Sequence, residues 1–204
     1  AQRYLTLAST LADRSAPQLI AIGGLSGTGK SSLAKAIAWR IGGGAGAVHL
    51  RTDVIRKRLA GVAMEQRLPE SAYVQTASNR IYSELAALVP SALDAGASVV
   101  VDAVFARDSE RIAVEKIARE AGVPFTGIWL EAPAAMLEQR VGQRLGDASD
   151  ADVEVVRRQL SYDLGNIAWV RVDASRSAED IEHDVLARIG PMLTQVKGYS
   201  GGLA

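Results

Sequence analysis

Hydrophobic positions along the chain gather into short blocks, and the stretches between them carry helical periodicity. "QLIAIGG" (Gln18–Gly24) is a short apolar strand, and "GGGAGAVHL" (Gly42–Leu50) is a loop entering a second one. "ASVVVDAV" (Ala97–Val104) shows almost no polar alternation, the pattern of a strand buried on both faces of a parallel sheet. "FTGIWLEA" (Phe125–Ala132) and "IAWVRVDA" (Ile167–Ala174) complete the set. Between them helices are predicted over Lys30–Ile41, over Val54–Leu59, over Ala72–Gly96 with a bend at Pro90, and over Asp108–Ala121. Further helices are predicted over Pro133–Leu145, Val153–Leu164 and Ser177–Leu193. Strand then helix throughout predicts a doubly wound α/β fold with a five-stranded, mainly parallel sheet.

Three segments are expected. Residues 1–17 place Tyr4, Leu5, Leu7 and Leu11 at helical spacing and stop at Pro17, reading equally as a linker from an upstream domain or a helix packed on its own domain. Residues 18–196 form the domain, with a lid around 140–160, and 197–204 form a flexible tail.

Composition narrows the partners. A chain of 204 residues with 48% hydrophobic content supports one well-buried core. Lysine plus arginine (23) balances aspartate plus glutamate (23), so no global basic field recruits nucleic acid and any polyanion site is local. With no cysteine, disulfides, thiol catalysis and thiolate-bound metals are excluded. The apolar runs fall far short of the roughly 20 residues of a membrane span, and no basic-then-apolar leader begins the chain, so a cytoplasmic protein without a membrane partner is expected.

The strongest chemical signal is "GGLSGTGKSS". Gly24, Gly29, Lys30 and Ser31 satisfy G-x-x-x-x-G-K-[ST] between a predicted strand and a predicted helix. Glycines at 24, 27 and 29 let backbone N–H groups approach phosphate oxygens, and the helix N-terminus adds partial positive charge. Leu25, Ser26, Thr28 and Ser32 complete the cradle. Lys30 is placed to reach the β- and γ-phosphates and the Ser31 hydroxyl to ligate Mg²⁺. A bound nucleoside triphosphate is expected.

The fate of the γ-phosphate depends on the groups facing it. Neither N-K-x-D nor D-x-x-G occurs, which argues against a GTPase switch. Ala103 follows Asp102 at the end of the third strand, where a motor ATPase carries a water-activating glutamate. Asp102 then either holds Mg²⁺ through water or orients a neighbouring arginine. Transfer to an acceptor hydroxyl needs a base, and Asp53 in "HLRTDVIRKRL" follows the second strand at the same sheet edge as the cradle. Asp53 also reads as a helix N-cap. Arg56, one turn on, can point toward Asp53 or the acceptor, whereas Arg51, Lys57 and Arg58 read as a solvated face. Arg140 and Arg144 share a helix face, and Arg157 and Arg158 follow the polar hinge, a pattern that reads as a lid closing over the triphosphate.

Together "GLSGTGKSS", "RTDVIRKRL", "SVVVDAVF", "WLEAPAAMLEQRVGQRLGDASDADVEVVRRQL" and "VDAS" resemble the small P-loop kinases grouped with polynucleotide kinases, gluconate kinases, chloramphenicol phosphotransferases and zeta toxins. The resemblance spans Gln18 to Ile189. It implies a nucleoside monophosphate kinase-like three-layer sandwich, ATP and Mg²⁺ as cofactors, and Asp53 as general base with Arg56 three residues on. It also implies that Asp102 orients that arginine, and that Arg140 or Arg144 touches the donor phosphates. The wording of "RTDVIRKRLAGV", "RLPESAY" and "SVVVDAVFARDSER" is similar to bacterial proteins in which such a module follows an aminoglycoside phosphotransferase-like domain, which implies an upstream partner domain. The chain departs from gluconate kinases in having "GDASDAD" where they carry a lid histidine–phenylalanine pair, and it lacks the basic excess suited to a nucleic-acid 5′-end.

The resulting expectation is an ATP- and Mg²⁺-dependent kinase whose partner is a small-molecule hydroxyl acceptor. Its alternatives are a nucleotide-binding regulatory module and a 5′-polynucleotide kinase. Polar candidates for the acceptor pocket are Tyr73, Gln75, Asn79, Arg80 and Arg107, and "DASRS" (Asp173–Ser177) is the expected base rim.

Overall fold

The computed structural model describes residues 3–5, 16–43, 45–143 and 148–196, with side chains up to residue 189. In chain order the elements are β1 (Leu19–Gly24), α1 (Lys30–Ala38), β2 (Val48–Arg51), α2 (Thr52–Ala60), a 3₁₀ turn (Glu70–Tyr73), α3 (Gln75–Asp94), β3 (Val99–Asp102), α4 (Asp108–Glu120), β4 (Phe125–Glu131), α5 (Ala134–Gly142), α6 (Val153–Leu160), β5 (Val170–Asp173) and α7 (Ala178–Val196).

The sheet runs β2-β3-β1-β4-β5 with every pair parallel. From β1 the chain goes out to β2, returns to β3 beside β1, and then crosses β1 to reach β4. That reversal opens a crevice at the carboxyl ends of β1 and β3, where open α/β sheets place their ligands. Register brings Asp102 opposite Ile22 of β1 on one side and Arg51 of β2 on the other. The carboxylate ending β3 therefore stands between the loop after β1 and the start of α2.

Two apolar layers sandwich the sheet. On one face Ile20, Ile22, Val100, Ile128 and Leu130 pack against Leu33, Ala34 and Ile37 of α1 and Ile181, Val185 and Ile189 of α7. On the other, Leu19, Ala21, Val99 and Val101 meet Ile81, Leu85 and Val89 of α3, Val114 and Ala118 of α4, and Trp129 and Trp169. Alternate residues of one strand serve opposite layers, which is why these strands read as unbroken apolar runs.

Several boundaries differ from expectation. α1 stops at Ala38, before left-handed glycines 42 and 43 turn the chain. The long third helix starts at Gln75, because Pro69 opens a separate 3₁₀ turn and Val74 is extended. It runs unbroken through Pro90. The carbonyl that loses its donor there belongs to Ala86, which is exposed and open to water. Only Val170–Asp173 of the fifth predicted strand pairs, and α6 ends at Leu160. Residues 3–5 are helical with Tyr4 and Leu5 exposed, and the rest of what is expected of residues 1–15 and of the 197–204 tail lies outside the described residues. Among the described residues no helix is long and apolar enough to cross a membrane.

The tightest approach in the core is at Gly127 of β4, where an added Cβ would land within the indole of Trp169. That indole is buried and donates from Nε1 to Glu115 Oε1 at 2.6 Å, so it has little freedom to withdraw. Gly127→Ala is expected to lower stability by at least about 1–3 kcal/mol through overpacking, read as a lower urea midpoint.

Candidate active site

The loop after β1 is shaped by its glycines. Gly24 has φ +139°, and a Cβ there would sit 2.5 Å from the Leu130 carbonyl oxygen. Gly27, at φ +87°, lies against the Leu137 backbone, where a Cβ would be 2.7 Å from the carbonyl oxygen. Gly29, at φ +89°, is the N-cap of α1. The Thr28 hydroxyl donates to Leu25 O at 2.8 Å, and Lys30 Nζ curls over the loop to the same oxygen at 3.0 Å. Ser26, Gly27, Gly29, Lys30, Ser31 and Ser32 line a cavity of ≈ 1080 Å³. Gly24, Leu25 and Thr28 do not line it; they hold the loop's shape from beneath.

Asp53 and Asp102 both line this cavity. α2 begins at Thr52 with Arg51 in the cap position, and no side chain caps it, so Asp53 is not the expected N-cap. Its carboxylate is pushed above the usual aspartate range, first by burial and then by the neighbouring Asp102 charge. Lys30, a hydrogen bond from Ser149 and Arg51 oppose that push. For Asp102 burial also acts upward, but the neighbouring His49 and Ser31 side chains and the charges of Lys30 and Arg51 outweigh it, and the group is held below its usual range. Adjacent carboxylates driven in opposite directions are how a site separates a proton acceptor from a permanent anion.

The expected Asp102–Arg56 pairing is replaced. Asp102 Oδ2 lies 3.4 Å from Arg51 Nε and 3.6 Å from His49 Nε2, since β2 is its direct neighbour in register. Arg56 instead donates to Ala72 O at 2.5 Å, and its guanidinium lies 4.7 Å from the Tyr73 ring centre. It still lines the cavity, one turn from Asp53. Lys57, expected in solvent, is fully buried. Its Nζ donates to Asp150 Oδ1 at 2.7 Å and to Gln66 O at 2.6 Å. Asp150 Oδ2 also accepts from the Tyr73 hydroxyl at 2.6 Å and from Leu68 N at 2.9 Å. Burial pushes Asp150 up, but these partners hold it below the ordinary range. Arg58 alone of the trio is exposed, beside Glu84.

The lid arginines divide differently from their expected roles. Arg140 donates to Ala174 O at 2.9 Å and is absent from the cavity lining. It thus braces the Asp173–Ser177 loop. Arg144 lies outside the described residues. Arg157 makes a two-point contact with Glu138, at 3.1 and 3.0 Å, tying α6 to α5. Arg158 is the α6 arginine on the cavity, which Arg67, paired with the α6 cap residue Asp152, and Arg107 also line. Tyr73, Gln75 and Arg107 of the acceptor candidates line the cavity, whereas Asn79 and Arg80 do not.

Three contributors were not singled out by sequence reasoning. Ser149 reaches Asp53, Asp150 anchors Lys57, and the buried Gln159 accepts from Ser26 N at 2.7 Å, fastening α6 to the phosphate loop. The polar run "ASDAD" was the only signal for Ser149 and Asp150 and did not distinguish a hinge from a site, and Gln159 carried none. Gln159→Ala leaves the Ser26 N–H without that acceptor and is expected to cost about 0.5–1.5 kcal/mol, measurable by urea denaturation.

The donor set suits a hard cation. Ser31 and Asp102 offer adjacent oxygens, and among the described residues no cluster of three carboxylate or imidazole groups forms a separate metal cage.

A family model for an AAA domain matches residues 19–163. The uncharacterized protein Rv2004c of Mycobacterium tuberculosis is 27% identical over 187 residues, covering 88% of this chain and 36% of the relative. The chain therefore spans about a third of the length of the curated relatives it matches. A gluconokinase from Sinorhizobium meliloti shares the fold, with TM-score 0.62 and 21% identity over 92% of this chain and 100% of that one. So does the Mycobacterium tuberculosis APS kinase CysC, solved with AMPPNP and APS, with TM-score 0.65 and 19% identity over 86% and 99%.

Proposed function

This chain belongs to the AAA domain family, and from that premise we propose that it is a P-loop kinase that transfers the γ-phosphate of ATP to a hydroxyl of a small molecule, with Asp53 as general base. The observation that carries the reading is the pair of carboxylates at the cavity floor. Asp53 is raised and Asp102 lowered, both are beside Lys30, and no second acidic residue follows Asp102 to activate water. AMPPNP in the APS kinase of the same fold supports ATP as donor.

Binding begins at the loop. The amides of Gly27 to Ser32 and the dipole of α1 face the phosphates, and Lys30 leaves Leu25 O to meet them. Ser31 and Asp102 would hold Mg²⁺, which neutralises charge on the transferring group. Arg56 and Arg158 supply further positive charge from two sides of the cavity. Asp53 takes the acceptor proton, and the same burial that raises its pKa gives it the basicity to do so. Positioning and electrostatics account for most of the rate. An upstream phosphotransferase-like domain as a partner rests on the sequence resemblance alone.

The test is a metabolite mixture supplied with γ-labelled ATP and Mg²⁺. Label is expected in a phosphate ester with the wild-type chain and not with Asp53→Asn. Label released only as inorganic phosphate, equally by both proteins, would sink the proposal.

A further inference from the structure

A second cavity, of ≈ 320 Å³, lies against the acceptor side of the first. It runs between α3 and α4, and its apolar walls are Leu85, Ala86, Phe105, Ala113, Val114 and Ile117. Gln75, Tyr82, Arg107 and Glu110 line both cavities, so the two share a wall.

The chemistry of that wall decides what the groove can hold. The Tyr82 hydroxyl accepts from Phe105 N at 3.3 Å and hydrogen-bonds to Glu110. Glu110 also accepts from Arg107 N at 3.2 Å. These polar atoms are engaged with one another, which leaves ring and aliphatic surface for a ligand. The floor is rigid. Phe105 is held at φ +50°, while the buried Arg111 donates to Phe105 O at 2.8 Å and to Ala106 O at 3.1 Å. The Phe105 ring packs edge-on against Trp169 at 5.1 Å between centroids. A groove kept open by a braced backbone and walled by Leu85, Phe105, Val114 and Ile117 favours an apolar group.

We propose that the acceptor is amphipathic: its hydroxyl end reaches Asp53, and an apolar portion occupies the groove between α3 and α4. This rests on the phosphotransfer reading. The wall shared with the Asp53 cavity is what singles out one small molecule spanning both, rather than a protein docking on the groove. In the step itself the acceptor O–H gives its proton to the Asp53 carboxylate. The acceptor oxygen then bonds the γ-phosphorus as the bond from that phosphorus to the β–γ bridging oxygen breaks, releasing ADP.

The probes are ethyl, butyl and hexyl β-D-glucosides, assayed as acceptors with ATP and Mg²⁺ and titrated calorimetrically without nucleotide. Affinity is expected to rise about three- to fourfold per added methylene, until the groove is filled, with kcat/KM following. Ala86→Trp and Ala113→Trp, at exposed helix positions outside the phosphate machinery, fill the groove and should flatten that dependence. Chain-length-independent binding, or a dependence that survives in both filled variants, would overturn the proposal. Transfer without chain-length dependence removes the groove and keeps the kinase. Chain-length-dependent binding with no transfer to any glucoside overturns the occupant as an acceptor.

Discussion

Asp53→Asn is expected to lower phosphoryl transfer by about 10²- to 10⁴-fold, while nucleotide affinity stays almost unchanged. The amide keeps the shape of the side chain and removes the only function assigned to it, the capacity to take a proton. A fall in kcat/KM with unaltered ATP binding is the expected calorimetric and kinetic pair; equal loss of both would move Asp53 from catalysis to nucleotide binding. The pH profile carries the same information. Burial and the Asp102 charge raise Asp53 in the fold, so the acid limb of kcat/KM should lie above the ordinary aspartate value of about 3.9. Stability has the opposite sign. Because the folded pKa exceeds the unfolded one, folding takes up a proton between them. The stability contributed by this group is complete below the unfolded pKa and declines as pH rises through the folded one. At neutral pH ionised Asp53 is therefore a burden on the fold, and Asp53→Asn should melt at the same temperature as the wild type or higher. Lost transfer in a protein of undiminished stability cannot be ascribed to unfolding.

Asp150→Ala is expected to cost about 3–5 kcal/mol of stability. The reason lies in its partner: Lys57 is 0% exposed and Asp150 8% exposed in their side chains, so removing the carboxylate strands an ammonium group away from water. Leu68 N and the Tyr73 hydroxyl lose an acceptor at the same time. Removing both charges, in Lys57→Met with Asp150→Leu, should cost much less than the sum of the single changes, because no uncompensated charge remains. Chemical denaturation of the four proteins of this cycle measures the difference; strict additivity would show that the pair is not coupled. The pH dependence follows from the lowered folded pKa of Asp150. Its contribution is present above the unfolded aspartate value of about 3.9 and is lost as pH falls through the lower folded value. The network also reaches the Asp53 cavity, since Tyr73, which donates to Asp150, lies against the Arg56 guanidinium. A softened Asp150 should therefore reduce transfer as well as stability.

Much of the fold was legible because its signals are local. Five apolar blocks and the G-x-x-x-x-G-K-S turn predicted the parallel sheet, the loop after β1 and the helix whose N-terminus faces the cavity. Strand burial on both faces and the backbone requirements of left-handed glycines depend on neighbouring residues in the chain, so they survive without knowledge of the rest of the molecule. Asp53 and Asp102 could be placed at one edge of the sheet by the handedness of the crossovers alone.

What the sequence by itself determined, then, is the sheet, the phosphate loop and the strand-end carboxylates. The tertiary structure decided which charges meet. Arg56, Lys57 and Arg58 are consecutive, and a helix turns by about 100° per residue, so they point to three destinations: the Tyr73 ring, the buried Asp150, and solvent beside Glu84. Periodicity placed them on a helix but not in register with partners 16 to 93 residues away. For the same reason Arg140 and Arg157 looked like phosphate ligands and instead meet Ala174 O and Glu138, while Gln159, a neutral residue with no motif, reaches the phosphate loop. Pairings between distant elements are set by how helices roll against the sheet, and that is a property of the packed molecule.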